Sequence, residues 1–169
     1  MTMRRSQRAV TDFSVIWTAA VSITKSDGIG TENNNIFKKG ILKMRLNNAE
    51  EVKKWLRGIV HTRKELKLKI EFYKGLCNDF EKAPGFEKRI MRYREEIGRL
   101  SAKLEHFIEE TDRVFETLDD TERMILTARY INTIGWDFIE AKVYFSRRQA
   151  IRIHNAAVKR LVGQEVDGL

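Results

Sequence analysis

From Val52 onward, apolar side chains recur at alternating spacings of four and three: Val52, Leu56, Ile59, Arg63, Leu66, Ile70, Tyr73, Cys77 and Phe80. Eight of those nine positions are apolar or aromatic, with Arg63 the exception. Lys82-Ala83-Pro84-Gly85 then interrupts the pattern, because proline cannot continue a helix and glycine reverses the chain at little cost. The spacing resumes at Phe86, Ile90, Tyr93, Ile97, Leu100, Leu104, Phe107, Thr111, Val114 and Leu118. A 3.5-residue repeat held through each arm is the seam of a coiled coil. Each arm has about 30 residues and so spans roughly 45 Å. The short break predicts an antiparallel helical hairpin over residues 44–118, with its turn near 82–85 and helical periodicity starting at Met44. Pairing between chains is the rival arrangement. The aromatic seam residues are bulky for a two-stranded coil and point to further partners, either the C-terminal segment or a second chain. Outer-face charges such as Lys53/Lys54, Glu95/Glu96 and Glu109/Glu110 nearly balance, as on a solvated helix surface.

After Leu118 the period shortens into three brief helices over residues 119–163, followed by a tail at 164–169. Asp119 and Glu122 have capping-box spacing and open a helix over Glu122–Ile131 that buries Ile125, Leu126 and Tyr130. Asn132–Gly135 reads as a loop. A second helix runs from Trp136 to Val143, with Trp136, Ile139 and Val143 on one face, and Tyr144-Phe145 makes a turn. Ser146 and Gln149 form a second capping box, and Ala150, Ile153, Ala157 and Leu161 are the buried stripe of the third helix. The fold class is therefore all-α: a long antiparallel coiled-coil hairpin followed by a helix-turn-helix domain.

Residues 1–43 differ from the rest and read as a poorly ordered arm, or as sequence translated ahead of the true start. Phe13–Ile23 alternates loosely and could form a strand before a turn at Asp27–Gly30. Arg4, Arg5 and Arg8 make this a candidate arm for DNA phosphates. The apolar core is too interrupted for a secretory signal.

Charge changes the picture. The chain carries a net +8 and a pI near 9.7, so nucleic acid is the first partner to consider and an anionic membrane the second. No stretch approaches the roughly 18 apolar residues needed to span a bilayer. Cys77 is the only cysteine, which rules out an intramolecular disulfide and fits a reducing, cytoplasmic setting. His61, His106 and His154 are far apart, so neither a metal site nor a cofactor is expected. There is no phosphate loop, no nucleophile–base pattern and no carboxylate cluster away from the helix caps, so an enzyme is not expected.

Between Lys142 and Arg160 stand six lysines or arginines and no acid. The solvent face of the third helix carries Arg148, Arg152, Asn155 and Lys159, flanked by Arg147, Gln149 and Ile151. Such a face suits the major groove of double-stranded DNA. Arginine donates two bonds to guanine, glutamine or asparagine pairs with adenine, and Ile151 can rest on a thymine methyl. Ser146 leaves a helix N-terminus facing a phosphate, and Lys142, Lys159 and Arg160 are placed to hold the backbone and set register.

Leu118–Ile131, Trp136-x-x-Ile139 and Phe145-Ser-Arg-Arg-Gln-Ala-Ile-Arg-Ile-His154 resemble region four of bacterial sigma factors. They are more similar still to sigma-like regulators of phages and prophages of Gram-positive bacteria, the ArpU and RinA type. Arg129-Tyr130-Ile131, the tryptophan five residues on, and Ser146-Arg147-Arg148-Gln149 carry the likeness, which covers about 45 residues in detail. It implies a sequence-specific DNA-binding transcription regulator, a phage or prophage late-gene activator, with Arg147, Arg148, Gln149, Ile151 and Arg152 reading bases. The chain departs from that family at Glu140, where a small residue is usual, and at Tyr144, where a glycine suits a turn needing positive φ. Two other functions fit the pattern: an interaction protein docking on RNA polymerase without touching DNA, and a DNA-packaging subunit of the small-terminase type. The coiled coil also offers a route to a homo-oligomer.

Overall fold

The computed structural model describes residues 18–23, 43–79 and 85–167, without the side chains of Asn78, Asp79, Lys142 and Val143. Helix dominates the described residues, in line with an all-α class. In chain order the elements are α1 (18–23), β1 (Lys43–Arg45), α2 (Ala49–Asp79) and α3 (Phe86–Phe115). There follow α4 (Asp120–Leu126), which runs into a π-helical turn (Thr127–Ile131), α5 (Trp136–Val143), α6 (Arg147–Arg160) and β2 (Glu165–Asp167). They gather into two compact units. One holds the described residues of 41–60 and 107–169, and the other holds α1 with the described residues of 61–106.

In the second unit, Leu66 and Ile70 of α2 and Ile97 and Leu104 of α3 are buried, as their seam positions require. Arg63, the polar member of that seam, is only 8% exposed. The two helices run antiparallel here, since contacts that climb one descend the other. Lys69 pairs with Glu96 and lies 5.3 Å from the Tyr93 ring centroid, while Arg94 Nε donates to the Tyr73 hydroxyl at 3.1 Å. Tyr73, Cys77, Phe86, Ile90 and Tyr93 are only half-buried. The expected turn at Lys82–Pro84 lies outside the described residues. Gly85 next to it has φ +80°, a conformation open to glycine.

In the first unit Val52, Trp55, Leu56 and Ile59 are buried, as are Phe107, Thr111, Val114, Phe115 and Leu118. Trp55 meets Phe107 with ring centroids 6.1 Å apart. Thr111 is tolerated in the seam because its hydroxyl donates to the Phe107 carbonyl at 2.7 Å. Asn48 caps α2: its Oδ1 accepts from the Glu51 N–H at 3.0 Å.

Four expectations are corrected. Phe13–Ile23 is not a strand over its described part: 18–23 is helical with Ala20 fully buried, and Ala19-Ala20 favours a helix over weak alternation. Helical structure does not begin at Met44, which is the central residue of β1. Within the expected tail, Glu165–Asp167 forms β2, antiparallel to β1 in the register Lys43↔Asp167, Met44↔Val166 and Arg45↔Glu165. Opposite charges thus face each other on both sides of buried Val166, which favours the pairing. The helix expected over Glu122–Ile131 starts at Asp120 and changes winding after Leu126.

Candidate functional site

The three short helices form a small core of Ile125, Ala128, Ile134, Ile139 and Ala150, with Trp136, Phe145 and Ile153 packed against it. The α4 capping box is complete. Asp119 Oδ1 accepts from the Glu122 N–H at 2.8 Å, and the Glu122 carboxylate accepts in return from the Asp119 N–H at 3.4 Å. Glu122 is only 3% exposed and its charge is answered by Arg160, whose Nη1 lies 3.0 Å from Oε2.

The π-helical turn widens the chain by one residue, so that the Asn132 N–H reaches the Thr127 carbonyl at 2.8 Å. It directs Tyr130 inward, where its hydroxyl lies 3.1 Å from His154 Nε2. His154 Nδ1 lies 3.1 Å from Asn155 Oδ1, and the Trp136 ring meets the imidazole edge-on at 5.3 Å. In the neutral imidazole, Nδ1 donates to Asn155 and Nε2 accepts from Tyr130, so all three polar groups are satisfied. Burial holds His154 below the usual histidine range, opposed by its bond to Asn155 and aided by the charges of Lys53 and Arg129. Burial likewise raises Tyr130. Arg129 stacks 5.2 Å from the Trp136 ring and donates to the Ile134 carbonyl at 3.1 Å, tying the loop back to the turn.

The connection from α5 to α6 passes through Tyr144 at φ 55°, ψ 23°, the left-handed region. A tyrosine there bears strain that glycine would not, and its side chain is 98% exposed. Ser146 then caps α6: its Oγ accepts from the Gln149 N–H at 3.3 Å while Gln149 Oε1 accepts from the Ser146 N–H at 3.1 Å.

The structure sorts the ten candidate residues into groups. Arg148, Arg152, Asn155 and Lys159 follow a spacing of four, three and four, lie on one stripe of α6, and are exposed. Arg148, Arg152 and Lys159 have no hydrogen-bond or ion-pair partner among the described residues, whereas Asn155 braces His154. Arg147 and Arg160, at the two margins of that stripe, are engaged. Arg147 Nη1 lies 3.0 Å from Asp137 Oδ1, and Arg160 is held by Glu122. Ser146 and Gln149 are occupied with each other, and Ile151 is half-buried. The side chain of Lys142 is outside the description.

Sequence periodicity missed three features. His154 and Val158 are buried, so the packed face of α6 is wider than the stripe Ala150, Ala157 and Leu161, while Ile153 is only half-buried. A groove of about 590 Å³ beside α6 is lined by Asp119, Asp120, Phe145, Arg152 and Ile153 among others, so the acidic helix cap neighbours Arg152 of the basic stripe. Asp119-Asp120 carries the signal for it, beyond the capping role. Among the described residues, no group of three or more His, Cys, Asp or Glu is placed to hold a metal, and no helix is long and apolar enough to cross a membrane. Compared with family models, characterised proteins and solved structures, the chain matches none.

Proposed function

We propose that this protein is a sequence-specific regulator of transcription that binds double-stranded DNA, with α6 as the helix that enters the major groove. α5 and α6 act as a helix-turn-helix pair, and α2 with α3 as an antiparallel coiled-coil hairpin. The observation that carries this reading is the stripe Arg148, Arg152, Asn155 and Lys159, exposed on a helix whose opposite face is packed into a core. Unpaired arginines on a rigid helix keep their donors available for guanine edges and phosphates. The engaged residues have a different part. Ser146 and Gln149 hold the helix start, Arg147 and Arg160 brace it, and Asn155 fixes the His154 ring. Arg148, Arg152 and Lys159 are therefore the principal DNA contacts.

Likeness to sigma region four adds the role of a phage or prophage late-gene activator. The test is a mobility-shift titration of the full chain against duplex fragments of its own genome, followed by transcription from any fragment bound. Saturable binding to particular fragments, lost in Arg148→Ala/Arg152→Ala, supports the reading. Binding unchanged in that variant overturns the assignment of α6. Recovery of RNA polymerase after nuclease treatment, with no fragment bound, would favour the polymerase-docking reading instead.

A further inference from the structure

The first long helix carries a second apolar stripe, at positions outside its seam. Leu68, Phe72 and Leu76 recur every four residues, and Leu68 and Phe72 are 56% and 62% exposed. They line a groove of about 510 Å³ in the second unit, with Tyr93 and Gly75. Large apolar side chains are rarely left to water in a continuous row, and such a row marks an interaction surface.

We propose that this groove receives a second copy of the same chain, related by a two-fold axis. Two features make the surface complementary to itself. Phe72 projects into solvent, while Gly75, three residues on, lines the groove as bare backbone with open space where a side chain would stand. An α2 helix laid antiparallel on its own copy, with the axis between these residues, places each Phe72 over the other's Gly75, where no side chain blocks it. The second feature is charge. Glu71 and Arg89 both line the groove, and neither has an ion-pair partner among the described residues. A two-fold sets the Glu71 of each chain against the Arg89 of the other, as an isologous contact requires. A polyanion would find one acid and one base here and no net attraction, so this face suits a protein surface rather than nucleic acid. The inference stands whatever α6 binds.

Sedimentation equilibrium of the full chain tests it. The wild type is expected to associate reversibly to a dimer, and Phe72→Lys to weaken association at least about tenfold. Circular dichroism melting of the variant verifies that it remains folded, as expected at an exposed position. Glu71→Arg and Arg89→Glu each weaken association by about three- to tenfold, and the double reversal restores it. A wild type that stays monomeric overturns the proposal, as does a double reversal no better than the singles. A benzophenone amino acid at position 72 should cross-link chain to chain. Cross-linking instead to residues 24–42 of the same chain would assign the groove to that segment and overturn the proposal too.

Discussion

The last helix and the far part of the first long helix both show solvent a regular stripe, and the two stripes differ in kind. On α6 the stripe is Arg148, Arg152, Asn155 and Lys159, and on α2 it is Leu68, Phe72 and Leu76. Exposed charge is ordinary on any protein surface, so the α6 stripe gains meaning only from its surroundings: charges left unpaired beside arginines that are paired. Exposed apolar rows are uncommon, so the α2 stripe has meaning by itself, and the unpaired Glu71 and Arg89 say what kind of surface would cover it. On the readings proposed above, the first face binds a polyanion and the second a protein.

The contrast yields predictions in descending order of effect. Arg148→Ala/Arg152→Ala should lower duplex affinity by roughly a hundredfold or more, since a good base contact is worth about 1–3 kcal/mol. The urea-unfolding free energy should stay within about 0.5 kcal/mol of wild type, as for exposed side chains away from special features. Equal loss of both would mean that the stripe is structural. Glu122→Ala removes half of the α4 capping box and the partner of Arg160, and should cost about 1–2 kcal/mol by urea unfolding. Because the Arg160 head is mostly solvated, most of that loss belongs to the cap.

The His154 ring should make stability depend on pH. Its native pKa lies below the unfolded value, so the folded form resists protonation. Stability from this group is complete above pH of about 6.5 and falls as pH drops through that value, at most by about 1.4 kcal/mol per pH unit. His154→Gln should flatten that segment of the profile, and an unchanged slope would place the titrating group elsewhere. The smallest effect is expected at Tyr144. Replacing it with glycine relieves left-handed strain of roughly 1–2 kcal/mol but loosens the unfolded chain by roughly 0.5–1 kcal/mol. Thermal melting should therefore show a slight gain, and a clear loss would mean that Tyr144 makes a contact of its own.

Much of this was legible because local rules agreed with one another. The 4-3 spacing located Val52, Leu56, Ile59, Arg63, Leu66 and Ile70, all buried, but not Trp55 and Thr62, and both capping boxes occur as their residue types and spacing require. Tyr144, at the turn expected to need positive φ, does adopt it. What stayed hidden depends on long-range contact. Three-residue strands have too little pattern to be seen singly, although Lys43-Met44-Arg45 and Glu165-Val166-Asp167 carry matching alternation and opposite charge. The π-helical turn has no sequence signature in Thr127–Ile131, and it decides that Tyr130 meets His154. At the site, spacing showed which residues share the face of α6. Only the positions of Asp137 and Glu122 showed that Arg147 and Arg160 are already engaged.

On the function proposed, α6 presents the DNA-binding face and the apolar groove does not. A backbone amide NMR spectrum of the full chain, followed as duplex DNA from its own genome is added at low salt, tests both halves at once. Shifts clustered at Tyr144–Arg160, with residues 66–77 and 89–93 unmoved, are the predicted result. Shifts centred on Leu68 and Phe72, or binding that leaves Arg148 and Arg152 unmoved, would contradict it.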